Sequence, residues 1–176
     1  MGDLLTDIVR QMTLLENRIR DLETRDTGNP IVIYQTNAGQ SIPNAAETVI
    51  DFEDMINDPH LLVTVADAPA TWFYTVPVSG YYLVTALIVF ETTNTWAVSE
   101  VVRIRPLVNG SGAQYAGRGT AFPASSTAVS VLGVVPVYAV MDDTIAIGVY
   151  QNSGAALTLA TNAGFNVASI HRIGAG

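Results

Sequence analysis

The spacing of apolar residues changes once along the chain, at residues 26–30, and this change constrains the fold more than any other feature. Before it, apolar residues recur at alternating intervals of three and four, which is typical of an α-helix with one apolar seam. After it, short apolar runs alternate with clusters of Gly, Asn, Asp, Ser and Pro, which is typical of strands and turns. The sequence therefore predicts one helix followed by a mainly β domain.

Residues 3–26 are predicted to form a helix of a coiled coil. Their seam covers about three heptads, and an isolated helix of that length is marginal in water, so we expect it to be stable only when several copies associate. An amphipathic helix that folds back on its own domain is the alternative. The seam residues are Leu5, Ile8, Met12, Leu15, Ile19 and Leu22.

The segment 18–23 indicates how many helices associate. It resembles the short trimerisation motif of coiled coils, which has Arg, an apolar residue, two free positions, an apolar residue and Glu. In that motif the stem of Arg18 packs on the core, and its guanidinium pairs with Glu23 of a neighbouring helix. The resemblance implies three helices.

Nine strands are predicted after residue 30, and their polar turns indicate an antiparallel β-sandwich of jelly-roll type. We divide the chain into a stalk (1–26), a linker with the first strand (27–47) and a head (48–176). The predicted strands are 31–34, 48–52, 72–76, 81–90, 101–108, 128–138, 144–150, 155–160 and 165–173.

Two of these strands, 81–90 and 144–150, are apolar on both faces. A strand of a sandwich has one face on its own core, so an apolar second face needs another cover. Association of subunits is the simplest cover, and it agrees with the predicted stalk. We expect Tyr82 and Tyr150, one on each strand, to lie at the subunit interface.

The head resembles the trimeric jelly roll shared by the tumour necrosis factor family and the globular heads of complement and short-chain collagens. The resemblance is carried by residues 73–84, a strand, a Pro-x-x-Gly turn and a strand that begins Tyr-Tyr, and by residues 108–111, 141–145, 149–154 and 165–173 in the same order. It implies a compact three-fold trimer with one sheet of each subunit facing the axis. A coiled coil replaces the Gly-x-y repeat of collagens, and this combination resembles phage fibres, tail-tip proteins and bacterial surface modules.

Composition excludes several classes of partner. The formal net charge is −8 and all eight cations are Arg, so nucleic acid and acidic membranes are disfavoured. The chain has no Cys, and no stretch is long and apolar enough to cross a bilayer. The N-terminus lacks the basic and then apolar segments of a secretory signal, as a component of a virus particle would. We therefore expect a virion location, or an extracellular or cell-surface one, without membrane insertion.

No catalytic constellation is visible. His60 and His171 stand in no metal-ligand spacing, and the acidic pairs 53–54 and 142–143 are sequence neighbours that point to opposite faces if they lie on strands. We expect a non-enzyme with no catalytic, cofactor or metal site. A calcium site in the loops, and a carbohydrate-active site with carboxylates shared between subunits, remain open.

The leading hypothesis is a homotrimeric structural or receptor-binding component of a virus particle, such as a fibre, spike or decoration protein. Its N-terminal helix would attach to the particle, and loops at the opposite end would bind a cell-surface protein or glycan. The alternative is a bacterial surface or soluble lectin-like module. The candidate recognition residues are Trp96 in loop 91–100 and Tyr115, Arg118 and Phe122 in loop 110–124. The alternative for these two loops is that Trp96 caps the core and that loop 110–124 contacts a neighbouring subunit.

Overall fold

The computed structural model describes residues 31–67, 70–97, 100–112, 117–120 and 129–176, together with residues 11, 13 and 14, which are helical. For residues 66, 67, 70, 71 and 117–120 it describes the backbone alone. Most of the predicted stalk lies outside the described residues. Its seam, its trimerisation motif and the coiled coil itself therefore stay predictions.

Fourteen strands form in the described part of the chain, and every pairing between them is antiparallel. They are β1 (Ile31–Thr36), β2 (Ser41–Ile42), β3 (Glu47–Val49), β4 (Asp54–Asn57), β5 (Val63–Asp67), β6 (Ala70–Thr75), β7 (Gly80–Val89), β8 (Val101–Val108), β9 (Ser111–Gly112), β10 (Gly117–Thr120), β11 (Ser130–Ala139), β12 (Thr144–Gln151), β13 (Leu157–Thr158) and β14 (Asn166–Gly174).

Two sheets pack face to face, as the sequence predicts for a sandwich. The five-stranded sheet has the order β11-β7-β14-β1-β4. The larger sheet follows the path β10-β8-β12-β6-β5, with β3 added to β12 and β9 added to β8, while β2 and β13 pair separately. Strands from the two ends of the domain meet in the middle of the five-stranded sheet, where β1 pairs with β14.

One hydrophobic core fills the space between the sheets. It forms because alternate residues of each strand point inward, as along β1 and β7, where every second side chain is buried. Aromatic rings interlock at its centre, and Phe52 meets Trp72 edge to face with 5.1 Å between ring centroids. The largest fully buried side chains are Trp72, Trp96, Tyr74, Tyr82, Phe52 and Phe90.

The observed strands differ from the predicted ones in two respects. Strands β2, β4, β5, β9 and β10 were not predicted, because they are short or rich in residues that also favour turns. The predicted strand 155–160 is reduced to β13, whose neighbours form a loop. The segment 27–47, interpreted as a linker with a first strand, contributes β1 to the five-stranded sheet, and its β2 pairs with β13.

Candidate subunit interface and recognition surfaces

The outer face of the five-stranded sheet is mainly apolar, and its side chains are exposed or half-buried. On β11 burial alternates strictly, so that Leu132 is 61% exposed and Val134 and Tyr138 are each 49% exposed. The strand register continues this apolar surface across β7, β14 and β1. We call this surface the open face; its residues are Leu132, Val134, Pro136 and Tyr138 of β11, Tyr81, Leu83 and Leu87 of β7, Val167, His171 and Ile173 of β14, and Ile31 and Ile33 of β1.

The open face is mainly apolar, although the neutral polar residues Gln35, Thr85 and Ser169 also point to this side of the sheet. His171 is its one basic residue, on the central strand β14, opposite Leu83 on one side and Ile31 on the other. None of its residues is acidic. Monomeric proteins seldom leave an apolar surface of several strands in contact with water. The open face therefore has the character of an interface.

The outer face of β12 is different, because the chain covers it. The guanidinium of Arg105 donates two hydrogen bonds to the carboxylate of Glu47, one of them from Nε to Oε1 at 2.6 Å. This ion pair lies over Gly148, where a side chain would collide with Glu47. The second apolar face of β12 is thus covered within the subunit, unlike that of β7.

The structure places neither of the tyrosines expected at the interface on the open face. Tyr82 is completely buried in the core, and its hydroxyl donates a hydrogen bond to the Val78 carbonyl at 2.6 Å. Tyr150 lies on the outer face of β12, with the guanidinium carbon of Arg103 5.7 Å from its ring centroid. The tyrosine of the open face is Tyr81, which packs edge to face on Tyr138 at 5.3 Å.

A buried carboxylate holds the turn between β4 and β5. Asp58 accepts hydrogen bonds from the Tyr34 hydroxyl at 3.1 Å and from the backbone N–H groups of Leu62 and Val63 at 3.0 Å. Burial, reinforced by the negative charge of Asp58, raises the pKa of Tyr34 to about 12. Burial also raises the pKa of Tyr74 and of Tyr82. These groups stabilise the fold and have no contact with the open face.

The register defines two ends of the sandwich. β1, β7 and β12 begin at the same end at which β11 and β14 finish, since Ile31 pairs with His171 and Tyr81 with Tyr138. We call this the near end, because the chain leads into it from residue 30. The opposite, far end carries the turns 37–46, 91–100, 152–156 and 159–165. Of the two expected recognition loops, 91–100 lies at the far end, but the turn at Asn109 and Gly110 lies at the near end.

Trp96 is not a surface anchor. Its side chain is 1% exposed and meets Phe90 edge to face at 5.3 Å, so it caps the far end of the core. This corrects its placement among the recognition residues and supports the alternative given for it. Tyr115 and Phe122 lie outside the described residues, and for Arg118, which pairs with Arg103 between β10 and β8, the backbone alone is described.

The pair Asp142 and Asp143 forms a tight turn, as expected for acidic residues before a strand. Asp143 accepts hydrogen bonds from the Val140 N–H at 2.8 Å and from the Asn109 side-chain amide at 2.7 Å. The bond from Asn109 is the main reason why the pKa of Asp143 lies below its ordinary value. This carboxylate therefore has a local structural role.

Chemistry-bearing side chains do not converge in the described part of the chain. No three His, Asp, Glu or Cys side chains come together there in a way that would hold a metal ion. His60 lies in the turn after β4, and His171 lies on β14. No helix among these residues is long and apolar enough to cross a membrane.

These features define an antiparallel β-sandwich of jelly-roll type with one sheet face that is mainly apolar and partly exposed. No protein-family model and no curated protein sequence matches the chain. Solved structures do match. Eiger TNF from S. frugiperda superposes with a TM-score of 0.61 at 12% identity, over 84% of this chain and 94% of that one.

Two further structures have the same fold. The globular domain of zebrafish complement 1qA matches with a TM-score of 0.54 at 14% identity, over 84% of this chain and 99% of its own. Murine APRIL matches with a TM-score of 0.56 at 11% identity, over 82% and 99%. The head therefore has the jelly-roll fold of the tumour necrosis factor and complement heads, which confirms this part of the sequence-based prediction.

Proposed function

We propose that three copies of the chain associate through the open face and form a non-enzymatic structural or receptor-binding trimer. The observation that carries the proposal is the open face itself, an apolar surface on four neighbouring strands beside a fully formed core. Removal of apolar surface from water is the dominant favourable contribution to most protein association. The fold, and the three-fold arrangement implied by the family resemblance, support three subunits rather than two.

We further propose that this trimer is a fibre, spike or decoration component of a virus particle. Residues 1–26 would form its coiled-coil stalk and attach it to the particle. The support is the heptad seam from Leu5 to Leu22, with the motif at Arg18 and Glu23, directly before the head. Loops of the far end would then bind a cell-surface protein or glycan, with avidity from three copies.

The mass in solution tests the trimer. Light scattering of the intact protein should give about 56 kDa, three chains of 18.7 kDa each. Val134→Asp places a charge on the open face, and we expect a folded monomer because burial of that charge opposes association. A wild-type mass of one chain would contradict the proposal.

Val65→Asp is the matched control. Val65 is 39% exposed on β5, at the edge of the other sheet, so the same substitution is made away from the open face. We expect Val65→Asp to keep the trimer mass. Circular dichroism of both variants checks that each retains its β structure, and loss of the trimer in both would show that the open face is not the interface.

A further inference from the structure

Exposed apolar side chains collect at the near end of the open face. Five of them are between 46% and 59% exposed, a high value for large apolar residues on neighbouring segments. We call this group the collar; it consists of Tyr81, Tyr138, Val140, Met141 and Ile173.

Contacts within the subunit hold the collar in place. The rings of Tyr81 and Tyr138 pack edge to face. The Met141 N–H donates a hydrogen bond to the Ser79 hydroxyl at 2.9 Å, and the backbone of Gly176 lies so close to the Tyr138 ring that a side chain at residue 176 would overlap it. The collar is therefore a formed surface before any partner binds, which lowers the entropic cost of binding.

The chain itself supplies an occupant within reach. β1 begins at Ile31, which pairs with His171, two residues before Ile173. Only residues 27–30 separate the end of the predicted helix from Ile31, and five extended steps span about 17 Å at most. If residues 3–26 form the predicted helix, its C-terminal end lies within about 17 Å of Ile31 at the near end.

We propose that the C-terminal end of the stalk helix, from Leu22 at the end of its seam to residue 26, packs on the collar. The inference rests on the proposed trimer, in which three collars surround the axis where the coiled coil ends. The coiled-coil core and the open-face interface then form one continuous apolar column. A seam of about three heptads gains stability from this contact that it lacks alone. A helix folded back along the open face would instead occupy the surface that the neighbouring subunits need.

Hydrogen exchange of the full chain, read by mass spectrometry on peptides from residues 15–26, tests the contact. The collar variant combines Val140→Ser with Met141→Ser, which lie in the collar but outside the open face, and the matched control combines Val65→Ser with Met55→Ser. The control removes the same two types of side chain, which are 39% exposed on β5 and 55% exposed on β4, away from the collar. We expect exchange in the stalk peptides to rise about ten-fold or more in the collar variant, because two apolar contacts are lost. The control should leave exchange unchanged.

Mass and exchange separate the two proposals. A wild-type monomer overturns the trimer. A wild-type trimer whose stalk peptides exchange freely, or whose protection survives the collar substitutions, overturns the packing on the collar and leaves the trimer standing. Equal loss of protection in the control and in the collar variant also overturns it, since the effect would then not depend on the collar.

Discussion

Two adjacent tyrosines show how much depends on a single position. Tyr82 points into the core and Tyr81 points out of the sheet, because successive residues of a strand face opposite sides. Because the two residues are identical, the sequence is the same whichever of them faces the core, and it does not show which ring is buried. The register of β7 against β11 and β14 decides it.

Buried amides tie the far-end loops to the sheets, and Asn166 is the clearest case. Its side chain is fully buried, accepts a hydrogen bond from the Val89 N–H and donates one to the Ala160 carbonyl, each at 2.8 Å. We expect Asn166→Ala to lower the free energy of unfolding by about 2–4 kcal/mol, because two backbone groups are left buried without partners.

Urea unfolding measures this loss, and Asn162→Ala is the control. Asn162 is the same residue type, exposed, in the turn before β14. Its replacement should change the free energy of unfolding by less than about 0.5 kcal/mol. Equal effects at the two positions would contradict the role given to Asn166.

The raised pKa of Tyr34 predicts how the free energy of unfolding changes at alkaline pH. Its pKa is raised to about 12 in the folded chain, against about 10 in the unfolded chain. The contribution of the protonated Tyr34 hydroxyl to the free energy of unfolding is therefore fully present below pH 10. It is lost between pH 10 and 12, because the unfolded chain releases this proton at a lower pH than the folded chain. Tyr34→Phe should flatten this decline without abolishing it, since Tyr74 and Tyr82 also have raised pKa values.

Unfolding in urea at several pH values between 8 and 11.5 measures the slope. The absence of lysine simplifies the experiment, because no lysine side chain titrates in the same range. An unchanged slope in Tyr34→Phe would show that this hydroxyl keeps its ordinary acidity in the folded chain.

At the scale of elements, the long strands were predictable and the short strands were not. β7, β8, β11 and β12 are each eight to ten residues long and rich in apolar and β-branched residues. β4 and β5, at the edges of the two sheets, are short, and β4 alternates poorly because Met55, Ile56 and Asn57 are all exposed. Such strands are stabilised by pairing with a neighbour, which local sequence does not encode.

The turn between β4 and β5 contains a strained residue. Leu61 has a φ of 52° and is 77% exposed, so it adopts a left-handed conformation with little packing in return. We expect Leu61→Gly to raise the free energy of unfolding by up to about 1 kcal/mol, because glycine adopts this conformation without strain. Thermal unfolding checks it against Leu61→Ala, which keeps the strain; a less stable Gly variant than Ala variant would contradict the argument.

At the scale of the whole molecule, the outer faces of the two sheets differ in the side chains that lie over them. The larger sheet covers β12 with the pair of Arg105 and Glu47, a contact between residues 58 positions apart. The five-stranded sheet has no such cover among the described residues of its open face. In the proposed trimer this difference would direct association to one side of the sandwich. The order of the strands places the far-end loops opposite the end at which β1 begins.

The sequence by itself determined the class of fold, since the period of two after residue 30 and the ordered turns are local properties that each segment carries alone. It also indicated that an apolar strand face needed a cover. The tertiary structure decided which face that is, because the cover of β12 and the burial of Tyr82 and Trp96 depend on contacts between distant segments. Register and long-range pairing are cooperative properties of the folded chain. Residue patterns therefore predicted the strands, but not which side chains of neighbouring strands would together form the open face.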